Sequence, residues 1–139
     1  MVMNSRDVAV MGDSVLCFVM VETREAVEKI DEIASTPGLD GIYVGPADLA
    51  LGLGLQPDLD KEEPEHVAAV ERILAACNGI VPGIQCGNGK AARKQADRGF
   101  RFVTFTKDSS LLPAAVGKEV AASLGKDIQV KQTSQKGYT

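Results

Sequence analysis

Two acidic residues stand where a chain can do chemistry, each directly beyond a short apolar run. Glu22 follows Val15-Leu-Cys-Phe-Val-Met-Val21, and Asp48 follows Gly41-Ile-Tyr-Val44 by the tight turn Gly45-Pro46-Ala47. If the two runs are neighbouring strands, both carboxylates reach the same rim. Two carboxylates with open positions beside them suit a divalent, oxygen-loving cation such as Mg²⁺ or Mn²⁺. The alternative is that each carboxylate only caps the helix behind it, since an acidic residue after a buried strand is common without any chemistry. Spacing alone leaves both readings open.

Other signals are weaker. Gly87-Asn-Gly-Lys90 resembles a phosphate loop only superficially, because Ile84 and Ala91 stand where that loop needs a Gly and a Ser or Thr. A turn and helix cap is the better reading. Leu51-Gly-Leu-Gly54 lacks the third Gly of a dinucleotide fingerprint. His66, the only histidine, falls early in an amphipathic helix behind an acidic loop and is read as distal from any chemistry. Asp108-Ser-Ser110 reads as a helix cap. Cys17, Cys77 and Cys86 form no C-x-x-C pair. Cys17 and Cys77 are expected as buried thiols, and Cys86, ending a strand, as a packing residue.

The elements that must position these residues alternate strand with helix. Val15–Val21 is continuously apolar, as a strand buried on both faces would be. Thr23 can cap the next helix, striped by Ala26, Val27, Ile30, Ile33 and Ala34 and ended by Pro37-Gly38. Gly41–Val44 is a second strand, and Pro46 can open a short helix. Gln56 to Pro64 is a charged surface loop, followed by a helix with Val67, Val70, Leu74 and Cys77 on its inner stripe. Ile80–Gln85 is a third strand in spite of Pro82. Ala91, Ala92 and Ala96 mark a helix closed by Gly99. Phe102–Phe105 is the fourth strand. Leu111, Leu112, Ala115, Val116, Val120 and Leu124 stripe a last helix, and the chain beyond Lys126 is a polar tail.

Four strand–helix units in series imply parallel strands with right-handed crossovers. Two α/β architectures fit: a small doubly wound open sheet, or half of a (β/α)₈ barrel. Both place chemistry at the carboxyl ends of the strands. Those ends are Glu22, Gly45–Asp48, Gln85-Cys86 and Thr106-Lys107-Asp108.

The whole chain of 139 residues is long enough for one domain. Its net charge of −4, without a basic cluster, argues against nucleic acid or an anionic membrane as partner. Its apolar runs fall far short of the roughly 20 residues that span a bilayer. With no signal-peptide pattern, a cytoplasmic protein is expected.

Val19-Met-Val-Glu-Thr-Arg-Glu-Ala26 followed by Gly41-Ile-Tyr-Val-Gly-Pro-Ala-Asp-Leu49 resembles the second half of the HpcH/HpaI aldolase family. The stretch Gly99-Phe-Arg-Phe-Val103 through Asp108 to Leu112 is similar to that family's last strand and following loop. The likeness runs over about residues 14 to 125 and implies that residues 1–126 are the last four units of a (β/α)₈ TIM-type barrel, with 127–139 as tail. It implies a metal-dependent lyase that cleaves or forms a carbon–carbon bond beside a pyruvate unit, acting on a 4-hydroxy-2-oxo acid. Glu22 and Asp48 match the metal ligands. The Gly45-Pro46-Ala47-Asp48 turn matches the segment that holds the substrate carboxylate through backbone amides, here that of Ala47. Met20 stands where the family usually has a substrate-contacting Gln, and a thioether cannot donate that bond. The family's catalytic base His and enolate-stabilising Arg come from earlier strands, and neither His66 nor Arg24 matches them. The resemblance also implies a homo-oligomer whose last helix packs on a neighbour, or a partner supplying the other half-barrel. The alternative from a different class is a half-barrel without turnover that binds metal and oxyacid or serves only as an interaction module.

Overall fold

A computed structural model of the chain describes residues 15–59 and 62–125. The expected tail lies outside the described residues. The elements run β1 (Phe18–Val21), α1 (Arg24–Glu28), α2 (Ile30–Ala34), β2 (Gly41–Val44), α3 (Pro46–Gly52), α4 (Pro64–Ala76), β3 (Val81–Gln85), α5 (Gly89–Arg98), β4 (Phe102–Thr104) and α6 (Asp108–Ser123). All three strand pairings are parallel, and the order across the sheet is β1-β2-β3-β4. A doubly wound sheet reverses its strand order at a switch point. The described strands run in sequence order with no such reversal.

Register sorts the strand residues into two faces, because side chains alternate along each strand. Val21, Ile42, Val44 and Ile84 lie on one face and are buried, with Val19 and Val103 packed beside them. The helices cover this face with Ile30 from α2, Leu49 from α3, and Ala69, Val70 and Ile73 from α4. The opposite face carries Phe18, Met20, Tyr43, Gly83, Gln85, Phe102 and Thr104. Here the outer strands touch: the rings of Phe18 on β1 and Phe102 on β4 are 5.4 Å apart between centroids, edge to face. In a flat sheet those strands would stand about 14 Å apart. The sheet therefore curls, with this face concave.

Tyr43 reaches over Gly83 to hydrogen-bond Thr104 and to approach Phe102 at 5.5 Å. A Cβ on Gly83 would lie 2.8 Å from the Tyr43 ring, so only glycine lets the ring cross β3. Among the described residues no helix covers the concave face, where Met20 is 56% and Phe102 46% exposed.

Several expectations change. β1 begins at Phe18; Val15, Leu16 and Cys17 precede it and are exposed, so Cys17 is not a buried thiol. Its main chain is held all the same: the Cys17 N–H donates to Asp40 Oδ2 at 2.6 Å, and its carbonyl accepts from the Asp40 and Gly41 amides. Cys77 and Cys86 are buried as expected. The first helical stretch breaks at Lys29 into α1 and α2, although its apolar stripe is kept.

The buried stripe of α4 is His66, Ala69, Val70 and Ile73, one residue round from the expected face, with Cys77 buried at its C-cap. On α6 only Ala121 is buried, while Leu111, Leu112, Val116, Val120 and Leu124 are exposed. The cap of that helix is Lys107; Asp108 is its first residue and accepts from the Ser109 N–H.

Pro82 is tolerated inside β3 for a specific reason. Its carbonyl faces β4, accepting from the Arg101 N–H at 2.9 Å, so its ring nitrogen faces the same side. Ladder pairing there starts only at Gly83 opposite Phe102, and the missing donor falls before β4 begins.

The two faces predict opposite sensitivities in urea denaturation of the full chain. Ile42→Ala, at a fully buried central position, should cost about 2–5 kcal/mol. Met20→Ala should stay within about 0.5 kcal/mol, as exposed positions do.

Candidate functional site

The β1–β2 register sets Val21 against Val44, so the next residue of each strand, Glu22 and Gly45, meet at the rim. The Glu22 carboxylate lies flat on Gly45: a Cβ there would sit 2.5 Å from Glu22 Oε1. Thr23, one residue on, makes a single bridge with Gly52 at the end of α3. Chain on both sides of Glu22 is thus docked against the β2–α3 segment that carries Asp48.

Neither carboxylate caps a helix. The cap of α1 is Thr23, whose hydroxyl accepts from the Ala26 N–H at 3.1 Å. The cap of α3 is Gly45, and Asp48 sits within the first turn beyond Pro46 without a side-chain capping bond. The start of α3 follows from its sequence: Pro46 has no N–H to lose at a helix start, and the Gly45 carbonyl accepts the Leu49 N–H at 2.8 Å.

Glu22 is half-buried and Asp48 exposed. Burial, and after it the negative charge of Asp48, raise the Glu22 carboxyl above its ordinary pKa. Asp48 is therefore close enough to act on Glu22 through space. A cation between the two would remove that repulsion. The donor set is hard oxygen only, which fits Mg²⁺ or Mn²⁺ with water or substrate filling the remaining positions. Among the described residues, no group of three or more His, Cys, Asp or Glu is gathered so that it could hold a metal ion.

The structure brings Met20 to the same rim, two residues before Glu22 on the concave face, with Ala47 half-buried in the turn. Other candidates go elsewhere. Arg24 donates to the Leu53 carbonyl at 2.9 Å and pairs with Glu65 at 2.8 Å, bracing α1 against α3 and α4. Asn88 caps α5 by accepting from the Ala91 N–H, so Gly87–Lys90 is the expected turn and cap. Cys86 is packed in the core. Lys107, at the end of β4, is half-buried.

His66 is the residue that sequence reasoning misplaced. It is not distal: it is buried, with Nε2 3.0 Å from the Pro46 carbonyl oxygen in the turn itself. The signal lay in its spacing to Ala69, Val70 and Ile73, a helical i, i+3, i+4, i+7 stripe with a histidine at its head.

A sequential four-stranded parallel sheet, with Glu22 and Asp48 beyond the carboxyl ends of its first two strands, defines an α/β protein. The chain belongs to the HpcH/HpaI aldolase/citrate lyase family, whose model matches residues 3–112. It is 44% identical over 112 residues to a hydroxypyruvate/pyruvate aldolase of Rhizorhabdus wittichii, covering 79% of this chain and 45% of that one. It is 31% identical over 126 residues to a 4-hydroxy-2-oxo-heptane-1,7-dioate aldolase of Shigella flexneri, covering 89% and 46%. Its structure superposes on an HpcH/HpaI aldolase/citrate lyase family protein of Burkholderia cenocepacia with a TM-score of 0.77 and 34% identity, over 86% of this chain and 47% of that one. The chain thus spans about half the length of the relatives it matches. Among the described residues, no helix is long and apolar enough to cross a membrane.

The raised Glu22 pKa carries a definite sign. A carboxyl whose folded pKa lies above its unfolded value contributes stability below the unfolded pKa, and that contribution is lost as pH rises through the folded pKa. Without metal, Glu22→Gln should therefore raise the melting midpoint at pH 7. The gain should vanish below the ordinary value of 4.5, where the parent carboxyl is protonated too. Thermal melts of both chains across pH 3–8 check this.

Proposed function

We propose that this chain carries the metal- and oxyacid-binding half of a divalent-metal-dependent pyruvate-type aldolase, a lyase that breaks or makes the carbon–carbon bond of a 4-hydroxy-2-oxo acid. The observation that carries the reading is the docking of Glu22 on Gly45 beside Asp48, two carboxylates at one rim with neither used as a cap. Glu22 and Asp48 would hold Mg²⁺ or Mn²⁺. When bound, the cation supplies Lewis-acid stabilisation of negative charge growing on the keto oxygen.

The rest falls to the protein. In this reading the Ala47 N–H, in the turn shaped by Gly45 and Pro46, receives the carboxylate of the small 2-oxo acid. Met20 lines the same rim and offers apolar contact where a hydrogen-bonding side chain would fix the substrate's polar end. The names of the relatives support a substrate of this kind, and the curled sheet with its bare concave face supports a (β/α)₈-type barrel of which these strands form one half. A complementary half, from further chain or another subunit, would cover that face and bring a base for the hydroxyl proton and a cation for the enolate oxygen. The exposed apolar residues of α6 would pack against a neighbouring subunit.

Two measurements test this. Titration calorimetry with Mg²⁺ should show oxalate, a two-oxygen mimic of the enolate, binding only with the metal. Glu22→Gln or Asp48→Asn should weaken that binding at least tenfold, by about 1.4 kcal/mol or more, as loss of a charge-assisted contact does. If both variants bind as the parent does, the pair is not a metal site.

The second is turnover. A positioned acid–base group contributes about 10²–10⁴-fold, and one electrostatic stabiliser a further 10²–10³-fold or so. The chain on its own should show at most trace metal-dependent exchange of the pyruvate methyl protons in deuterated water, followed by proton NMR. Adding a complementary half should bring cleavage of a 4-hydroxy-2-oxo acid. Vigorous cleavage by the chain alone, lost in Lys107→Ala, would place the base on Lys107 instead.

A further inference from the structure

His66 is a buried polar side chain in an otherwise apolar layer, 3% exposed at the head of the Ala69, Val70, Ile73 stripe of α4. Packing alone does not call for an imidazole here, since a leucine would fill similar volume and bring no polar atoms to satisfy. Its Nε2 lies 3.0 Å from the Pro46 carbonyl oxygen. A carbonyl can only accept, so Nε2 carries a hydrogen and donates it. The bond falls on the first residue of α3, two before Asp48. That helix has seven residues, too few to be stable alone. Its direction is set by what holds it. Leu49 anchors it in the core, its far end is tied by the Thr23–Gly52 bridge, and its first turn meets the donor from α4, a helix of 13 residues locked down by Val70 and Ile73.

We propose that His66 is a positioning residue for the rim site. By fixing the Pro46 carbonyl it sets the pitch of the first turn of α3, and with it the place of the Asp48 carboxylate and the Ala47 N–H relative to Glu22. The proposal rests on the metal and oxyacid reading above. It touches neither metal nor substrate and acts through the Gly45–Asp48 backbone.

The test uses the full chain, with Mg²⁺ and oxalate as probes, titrated well below the melting midpoint of each variant. His66→Gln keeps an amide nitrogen at about the reach of Nε2, whereas His66→Leu keeps volume and loses the donor. His66→Leu should weaken Mg²⁺-dependent oxalate binding about tenfold, while His66→Gln stays within roughly threefold of the parent. A His66→Leu chain that melts lower yet binds oxalate as the parent does would make His66 a core residue only and overturn the proposal. So would a His66→Gln chain as weak as His66→Leu. If His66→Leu does not fold, His66→Asn, whose shorter amide stops short of Pro46, takes its place, and equal affinity of the Asn and Gln variants overturns the proposal. A parent that binds no oxalate with Mg²⁺ fails the metal reading itself, and that result appears before any His66 variant is measured.

Discussion

The parallel register of β1 against β2, Val21 opposite Val44, is the constraint on which the site depends. Parallel strands end at the same rim, so whatever follows each strand is delivered to one place. Here those residues are Glu22 and Gly45, and the absence of a side chain on Gly45 gives the carboxylate room to lie on the backbone. A one-residue slip would turn Val19 and Val21 of β1 from the packed face to the concave one. The apolar layer beneath α2, α3 and α4 therefore holds the two carboxylates in register.

Much of this was legible in the residues themselves. Continuous apolar runs bounded by Thr23, Pro37-Gly38, Pro46 and Gly99 give four strand–helix units, and Thr23, Asn88 and Gly99 act at helix ends as their types demand. Glu22 and Asp48 could be picked out as acidic groups beyond successive strands, but their spacing left a cation site and a helix cap both open. What was not legible is tertiary. The face that α4 buries is shifted by one residue, which puts His66 at a contact with the Pro46 carbonyl 20 residues away in sequence. Cys17 is exposed, and a loop carboxylate, Asp40, holds its amide before the strand begins. No local pattern records either event. The α6 stripe reads as a buried face by periodicity, yet among the described residues almost nothing covers it.

Pro82 shows the same lesson from the other side. By propensity it argues against a strand, and by position it costs nothing, since its nitrogen points where β4 has yet to start. Strand propensity measures fit to a particular ladder more than an intrinsic backbone preference. The residue can be judged only once its neighbour's first paired position, Phe102, is known.

The concave face and the carboxylate pair belong to one physical problem. Electrostatic stabilisation of a developing enolate is strong only where water is excluded and the local dielectric is low. Asp48 is exposed, Glu22 is half-buried, and Met20 beside them is open to solvent. In this setting the two charges are screened, and the rise of the Glu22 pKa owes more to burial than to Asp48. The aromatic contact of Phe18 with Phe102 joins the two outer strands across the concave side, which the described residues leave open. Covering that side would dry the rim, strengthen the repulsion between the carboxylates and raise their demand for a cation. The same act that completes the curve of the sheet would thus sharpen the site, which ties closure of the fold to the chemistry proposed at its edge.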